Sequence, residues 1–156
     1  MRRTKEAFEW IIKILNKHKI KYRISGGFAA RIYGSKRKLA DIDIEIPDNS
    51  FKDILPEIRQ YIKIGPKRFK DKVMNTYGLS IVYRGQIIDL SGTESEVLFD
   101  KKSKKWIKSK IDLSKVNKKK VYGKIVNVIR KEDLTAYKSM IRRRVDIEDI
   151  DDIKLK

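Results

Sequence analysis

The run Asp41-Ile42-Asp43-Ile44-Glu45-Ile46, closed by Pro47, alternates acid and isoleucine at every position. Successive side chains of a β-strand point to opposite faces, so this period-2 pattern predicts a strand with its isoleucines buried and three carboxylates on the other face. Acids two residues apart on a strand can reach a common cation, and unneutralised they repel one another. A hard divalent ion such as Mg²⁺ prefers oxygen ligands and removes that repulsion. The plain alternative is a solvated strand face whose acids pair with nearby lysines.

Around this strand the chain reads as one domain over residues 1–156. A helix is expected over 4–18, with Thr4 as N-cap and Phe8, Ile11, Ile12 and Leu15 on one face; His18 and its neighbouring lysines suit the C-terminal end. Tyr22 to Ile24 reads as a short strand, and Phe28 to Tyr33 as one or two helical turns ending at Gly34. Asp48-Asn49-Ser50 caps a helix over Phe51 to Tyr61, with Ile54, Leu55, Ile58 and Ile62 inward. Residues 65–75 look like a loop. Tyr77 to Tyr83 and Gln86 to Leu90 are strands joined at Arg84-Gly85, a two-residue connection typical of a tight hairpin. Residues 100–120 hold ten lysines and one aromatic, Trp106, and are expected to form an exposed basic excursion. Val121 to Ile129 adds a strand. Arg130 to Arg144 is a helix with Leu134, Tyr137, Met140 and Ile141 inward, and Asp146 to Ile153 a final acidic helix. The order predicts an α/β (α+β) fold with a mixed sheet flanked by helices, its core at about 22–95 and 121–153.

Composition narrows the chemistry. The chain has no cysteine, which excludes thiolate nucleophiles and cysteine-ligated zinc, and one histidine, which excludes schemes needing a pair. Carboxylates, lysines, arginines, hydroxyls and backbone amides remain. Lys plus Arg is 39 against 21 Asp plus Glu, a formal charge of +18. Such a surplus favours a polyanionic partner, nucleic acid or nucleotide phosphate. A lysine-rich proteome, including one from a hot habitat, gives the same surplus without a partner. The N-terminal stretch lacks a signal-peptide apolar segment and no run reaches membrane-spanning length, so a cytoplasmic location is expected.

Two further features bear on the acids. Ser25-Gly26-Gly27 follows a strand and opens a helix, where glycines permit unusual backbone angles and close approach of a phosphate to backbone N–H groups. Asp89 lies in the apolar strand Gln86-Ile87-Ile88-Asp89-Leu90, where a carboxylate needs a partner or a metal. A glycine turn with three strand-borne acids describes a two-metal phosphoryl-transfer site.

These residues resemble the signature of the nucleotidyltransferase superfamily related to DNA polymerase beta: a glycine pair, a spacer, Asp-hydrophobic-Asp, and a later Asp on a strand. Here the parts are Gly26-Gly27, thirteen intervening residues, Asp41-Ile42-Asp43, and Asp89. The closer resemblance is to small prokaryotic members grouped with the toxins of type IV toxin–antitoxin (abortive infection) systems. Arg37, four residues before Asp41, matches that group, as do Glu132-Asp133-Leu134 with Lys138, and Arg143-Arg144 with Asp146 and Asp149-Ile150. The likeness covers residues 22–153 except 95–125. It implies Asp41, Asp43 and Asp89 as catalytic metal ligands for Mg²⁺ or Mn²⁺, with Asp89 as ligand or general base on the acceptor side. It also implies Gly26 and Gly27 against the triphosphate of an NTP such as ATP, with Arg37 and Lys138 as phosphate partners. Lys138 reads equally well as an exposed helix lysine, while Asp146 and Asp149 read as caps or partners of Arg142 to Arg144. Many relatives have Ser at the position of Gly27, and Thr or Ser at that of Leu39.

The function implied is metal-dependent transfer of an NMP to an acceptor hydroxyl, with RNA, including a tRNA end, as the acceptor class that the basic surplus favours; a small molecule such as an aminoglycoside, which would more often meet an acidic acceptor pocket, ranks lower. The alternative is a non-catalytic nucleic-acid-binding protein, or one paired with a cognate antitoxin, whose working surface is the lysine-rich segment with Trp106.

Overall fold

A computed structural model describes residues 2–154; Met1, Leu155 and Lys156 of the expected 1–156 domain lie outside the described residues. The elements run α1 (Arg2–Lys17), β1 (Arg23–Ser25), α2 (Gly26–Ile32), β2 (Asp41–Ile46), α3 (Phe51–Ile58), β3 (Ile62–Lys70), β4 (Met74–Tyr83), β5 (Gln86–Gly92), β6 (Val97–Asp100), β7 (Lys105–Lys108), β8 (Val116–Val121), β9 (Lys124–Ile129), α4 (Lys131–Ile141) and α5 (Arg144–Lys154). Among the described residues nine strands join one mixed sheet in the order β7-β6-β4-β5-β2-β1-β9-β8, with β3 on the other edge of β4. β2 runs antiparallel to β1 and parallel to β5, and β1 parallel to β9.

The alternation in β2 decides how the sheet is used. Ile42, Ile44 and Ile46 are fully buried, together with Ile81, Ile88 and Leu90 of the neighbouring strands. Phe8, Ile11 and Leu15 of α1 and Phe51, Ile54 and Ile58 of α3 join them in one core. Burying a side chain of this size contributes roughly 1.5–3 kcal/mol. The opposite, polar face of β2 is left for the site.

Several expectations need correction. Thr4 is not an N-cap: it lies inside α1, buried, and its hydroxyl donates to Gln86 Oε1 at 2.7 Å. Residues 65–75 are not a loop but most of β3 and the start of β4. The basic, polar residues of that stretch suit a loop, yet among the described residues β3 pairs only with β4, and its register shifts between Ile64 and Lys67. An edge strand with an irregular register is where proline and lysine are tolerated. Ile62 opens β3 rather than facing inward from a helix, since α3 ends at Ile58. The segment 100–120 is partly paired, β7 with β6 and β8 with β9, while 101–104 and 109–115 connect the strands. Val73, Leu98 and Ile141, with Met74, Phe99 and Met140, form a second small core that holds the β6–β7 hairpin against α4. The hairpin at Arg84-Gly85 forms as predicted, with φ of 48° and 81°, the left-handed pair a type I′ turn requires. His18 and Lys17 meet Glu57 of α3. No helix among the described residues is long and apolar enough to cross a membrane.

Candidate active site

Register places the acids. Asp43 of β2 lies beside Asp89 of β5, Asp89 is opposite Ser80 of β4, and Asp43 is opposite Ser25 of β1. One polar row therefore crosses four strands, Ser80–Asp89–Asp43–Ser25. The next row on this face is Gly78–Ser91–Glu45–Arg23. Asp41, two residues before Asp43, completes a cluster in which one oxygen from each of Asp41, Asp43 and Asp89 lies within 4.8 Å of the others. All three residues are half-buried.

The electrostatics are those of a group lacking a counter-charge. Burial, then the charges of Asp41 and Asp89, pushes the Asp43 carboxyl well above the usual carboxylate range, against the opposing N–H of Gly27 and the Lys138 charge. Burial also pushes Asp89 up to about 6; the Ser80 hydroxyl donates to its carboxylate and opposes the rise, while Asp41 adds to it. A divalent cation held by the three carboxylates would offset their mutual repulsion. An all-oxygen, three-carboxylate donor set suits Mg²⁺ or Mn²⁺ rather than a softer metal.

The glycine pair closes one side. Gly26 has φ +60°, and a Cβ there would lie 2.3 Å from Asp43 Oδ2, so only glycine lets α2 start against the acid. The N–H of Gly27 donates to Asp43 Oδ2 at 3.2 Å. A Cβ on Gly27 would meet Arg37 Nη2 at 2.8 Å, which places the guanidinium beside this turn. Arg37 is held there by Asp149 of α5, which accepts from Nε at 3.0 Å and Nη2 at 2.9 Å, and also from the Ser35 hydroxyl at 2.6 Å. Lys138 stands behind this network. It is 1% exposed, with its ammonium 2.9 Å from Asp146 and 3.0 Å from Asp149. It is thus neither an exposed helix lysine nor open to solvent, and its partners offset the cost of burying its charge. Asp146 also accepts from the Arg143 backbone and side chain at the start of α5, as its capping role predicts.

The polar rows floor a cavity of about 720 Å³, which is within the range of ligand pockets. Asp43, Asp89, Gly26 and Ser25 lie at one part of its lining, and Glu45 and Glu96 at another. The α4 residues Asp133, Ala136, Tyr137 and Met140, the segment 108–112 and Lys115 also line it.

No family model matches the chain, and no curated protein matches it. Solved structures do. A protein of Thermotoga maritima proposed to be a nucleotidyltransferase superposes with a TM-score of 0.68 at 15% identity, covering 94% of this chain and 91% of the other. The lincosamide antibiotic adenylyltransferase LnuA, with lincomycin bound, gives 0.64 at 14%, covering 97% and 96%. ANT(2")-Ia in complex with adenylyl-2"-tobramycin gives 0.56 at 14%, covering 97% and 86%. The chain has the nucleotidyltransferase fold.

Within that fold, the structure brings Asp41, Asp43, Asp89, Gly26 and Gly27 together, sets Arg37 at the glycine turn, and seals Lys138 behind it. Sequence reasoning missed Ser80, Tyr137 and the buried Arg23–Glu45 pair. Ser80 was findable: a two-residue turn at 84–85 pairs Tyr83 with Gln86, and counting back sets Ser80 against Asp89. Tyr137 was assigned to the core by helical spacing. It does pack against both hydrophobic clusters and also lines the cavity, where burial, then the charges of Asp43 and Glu45, raises its pKa well above the usual tyrosine value. Arg23 with Glu45 follows only from the β1–β2 register.

Proposed function

We propose that this protein transfers a nucleoside monophosphate from an NTP to a hydroxyl of an acceptor. The observation that carries the reading is the convergence of the Asp41, Asp43 and Asp89 carboxylates beside a glycine turn that only glycine can form. The nucleotidyltransferase fold supports it, as do the adenylyltransferases among the superposing structures. Asp41 and Asp43 would hold two Mg²⁺ or Mn²⁺ ions, and Asp89 would complete the one nearer the acceptor. Bound there, the ions would neutralise charge on the α-phosphate and on the attacking and leaving oxygens.

The chain's own groups supply position. The Gly26–Gly27 backbone lets the triphosphate approach closely, and Arg37, preset by Asp149, meets a phosphate oxygen. Lys138 contributes charge from behind while its ammonium stays with Asp146 and Asp149. The acceptor oxygen attacks the α-phosphorus, the bond to the β-phosphate oxygen breaks, and pyrophosphate leaves with the electron pair. The hydroxyl proton passes to Asp89 or to solvent. RNA, including a tRNA end, is the acceptor class that the charge of +18 supports.

The test is to incubate the protein with each labelled NTP, Mg²⁺ or Mn²⁺, and total cellular RNA. Label is expected on one RNA species, and Asp41→Ala or Asp43→Ala is expected to abolish it together with Mg²⁺-dependent NTP binding. If both variants bind Mg²⁺-NTP as the wild type does, the reading is wrong.

A further inference from the structure

The lysine-rich segment has no charge partner. Among the described residues, none of the ten lysines between 101 and 120 makes an ion pair, whereas Arg23, Arg37, Arg84, Arg130, Lys138 and Arg143 all do. Nine of the ten are exposed, and Lys119 is half-buried over the Tyr33 ring. A basic surface alone would carry little. Here it leads from strand into the cavity: Lys108 ends β7, Lys110 and Lys115 lie in the connection to β8, and all three line the same cavity as Asp43 and Asp89.

β7 supplies the second element. Trp106 is 42% exposed on this edge strand, backed across the strand pair by Phe99 with ring centroids 5.5 Å apart. Lys70 Nζ lies 5.7 Å from its ring centroid. Strand alternation puts Trp106 on the same face as Lys108, about 7 Å away at about 3.4 Å per residue. An aromatic platform followed by lysines that lead to a site for a hydroxyl nucleophile suits a chain of stacked bases and phosphates. The acids on the route do not spoil it: Glu45 is paired with Arg23, Asp133 with Arg130, and Glu96 and Asp112 accept from Ser109 and Ser114.

We propose that Trp106, Lys108, Lys110 and Lys115 form a docking strip for a single-stranded RNA end. A base stacks on Trp106, phosphates lie along the three lysines, and the terminal ribose hydroxyls enter the cavity. The link to the three aspartates rests on the nucleotidyl-transfer reading, but the strip itself does not.

The experiment measures fluorescence anisotropy of a labelled single-stranded RNA with the full chain, in EDTA and without nucleotide, over a range of KCl. Each phosphate contact contributes about 0.7 to the slope of log affinity against log salt. The triple variant Lys108→Ala/Lys110→Ala/Lys115→Ala is expected to bind at least tenfold more weakly with the slope reduced by about two. Trp106→Ala is expected to weaken binding about 5- to 150-fold with the slope unchanged, and Trp106→Phe to restore most of it. An unchanged thermal midpoint shows that these exposed substitutions leave the fold intact. The strip is overturned if the lysine and tryptophan variants bind as the wild type does. Its assignment to single-stranded RNA is overturned if duplex RNA, single-stranded DNA or polyglutamate competes equally well. Because metal and nucleotide are absent, failure of label transfer would sink the catalytic reading and leave this result standing.

Discussion

Glu96 shows what one carboxyl can do to the pH dependence of this domain. It is 9% exposed, and one oxygen accepts from the Ser109 hydroxyl at 2.7 Å. Burial, then the charge of Glu45, pushes it up to about 7; Ser109 and Arg23 oppose the rise. Below its ordinary value of 4.5 the group is protonated whether the chain is folded or not. Between 4.5 and about 7 the folded protein keeps a proton that the unfolded chain has released, so stability falls as pH rises through that window and stays lower above it. Glu96→Gln removes the ionisable group and keeps the Ser109 contact. Urea midpoints are expected to show the variant more stable at pH 8, by up to about 3 kcal/mol, with the difference vanishing near pH 4. Equal destabilisation at both values would mean that the charged carboxylate is what the site needs. Nothing in the sequence marks Glu96, because its burial depends on β6 packing between α4 and the edge of β4.

The glycine turn is a property of an element, the start of α2 against β2. Gly26 takes a left-handed φ with Asp43 where a Cβ would be, whereas the neighbour of Gly27 is the far end of the Arg37 side chain. Gly26→Ala is expected to cost about 1–3 kcal/mol and to displace Asp43, so that Mg²⁺-dependent NTP binding is lost. Gly27→Ala is expected to cost under about 1 kcal/mol and to lower NTP affinity only as far as Arg37 is moved. Calorimetric unfolding and NTP titration of both variants check this, and a reversed order would show that Gly26 is not the constrained position. At this scale β2, β5 and the 84–85 hairpin were legible, because alternation and turn chemistry are local. β3 and β7 were not. Their lysines fit a loop equally well, and only pairing with β4 and β6 makes them strands.

At the scale of the whole molecule, the three aspartates are a stored repulsion that folding alone leaves uncompensated. A cation that binds only the folded chain should raise its melting temperature. For a domain of this length the rise is expected to be about 2–12 °C at saturating Mg²⁺, on the order of 1–3 kcal/mol. Protons compete for the same oxygens, since Asp43 is raised and Asp89 lies at about 6. The Mg²⁺-induced rise should therefore be larger at pH 8 than at pH 5.5, and absent in Asp43→Asn. A rise that is independent of pH, or retained in that variant, would place the cation elsewhere.

The sequence by itself determined the acidic face of β2, the glycine turn before α2, the tight hairpin and the exclusion of cysteine and paired-histidine chemistry. Each of these depends on residues adjacent in the chain. Tertiary structure decided which acids share a site, because the parallel pairing of Asp43 with Asp89 joins strands 46 residues apart. It also withdrew Lys138 into the interior with Asp146 and Asp149 and set Arg37 beside Gly27. The lysines of 101–120 fell on β7, on β8 and on the turn and connection around them, part of which lines the cavity, for the same reason. Register and burial are relations between distant segments, and no local pattern of polarity encodes them.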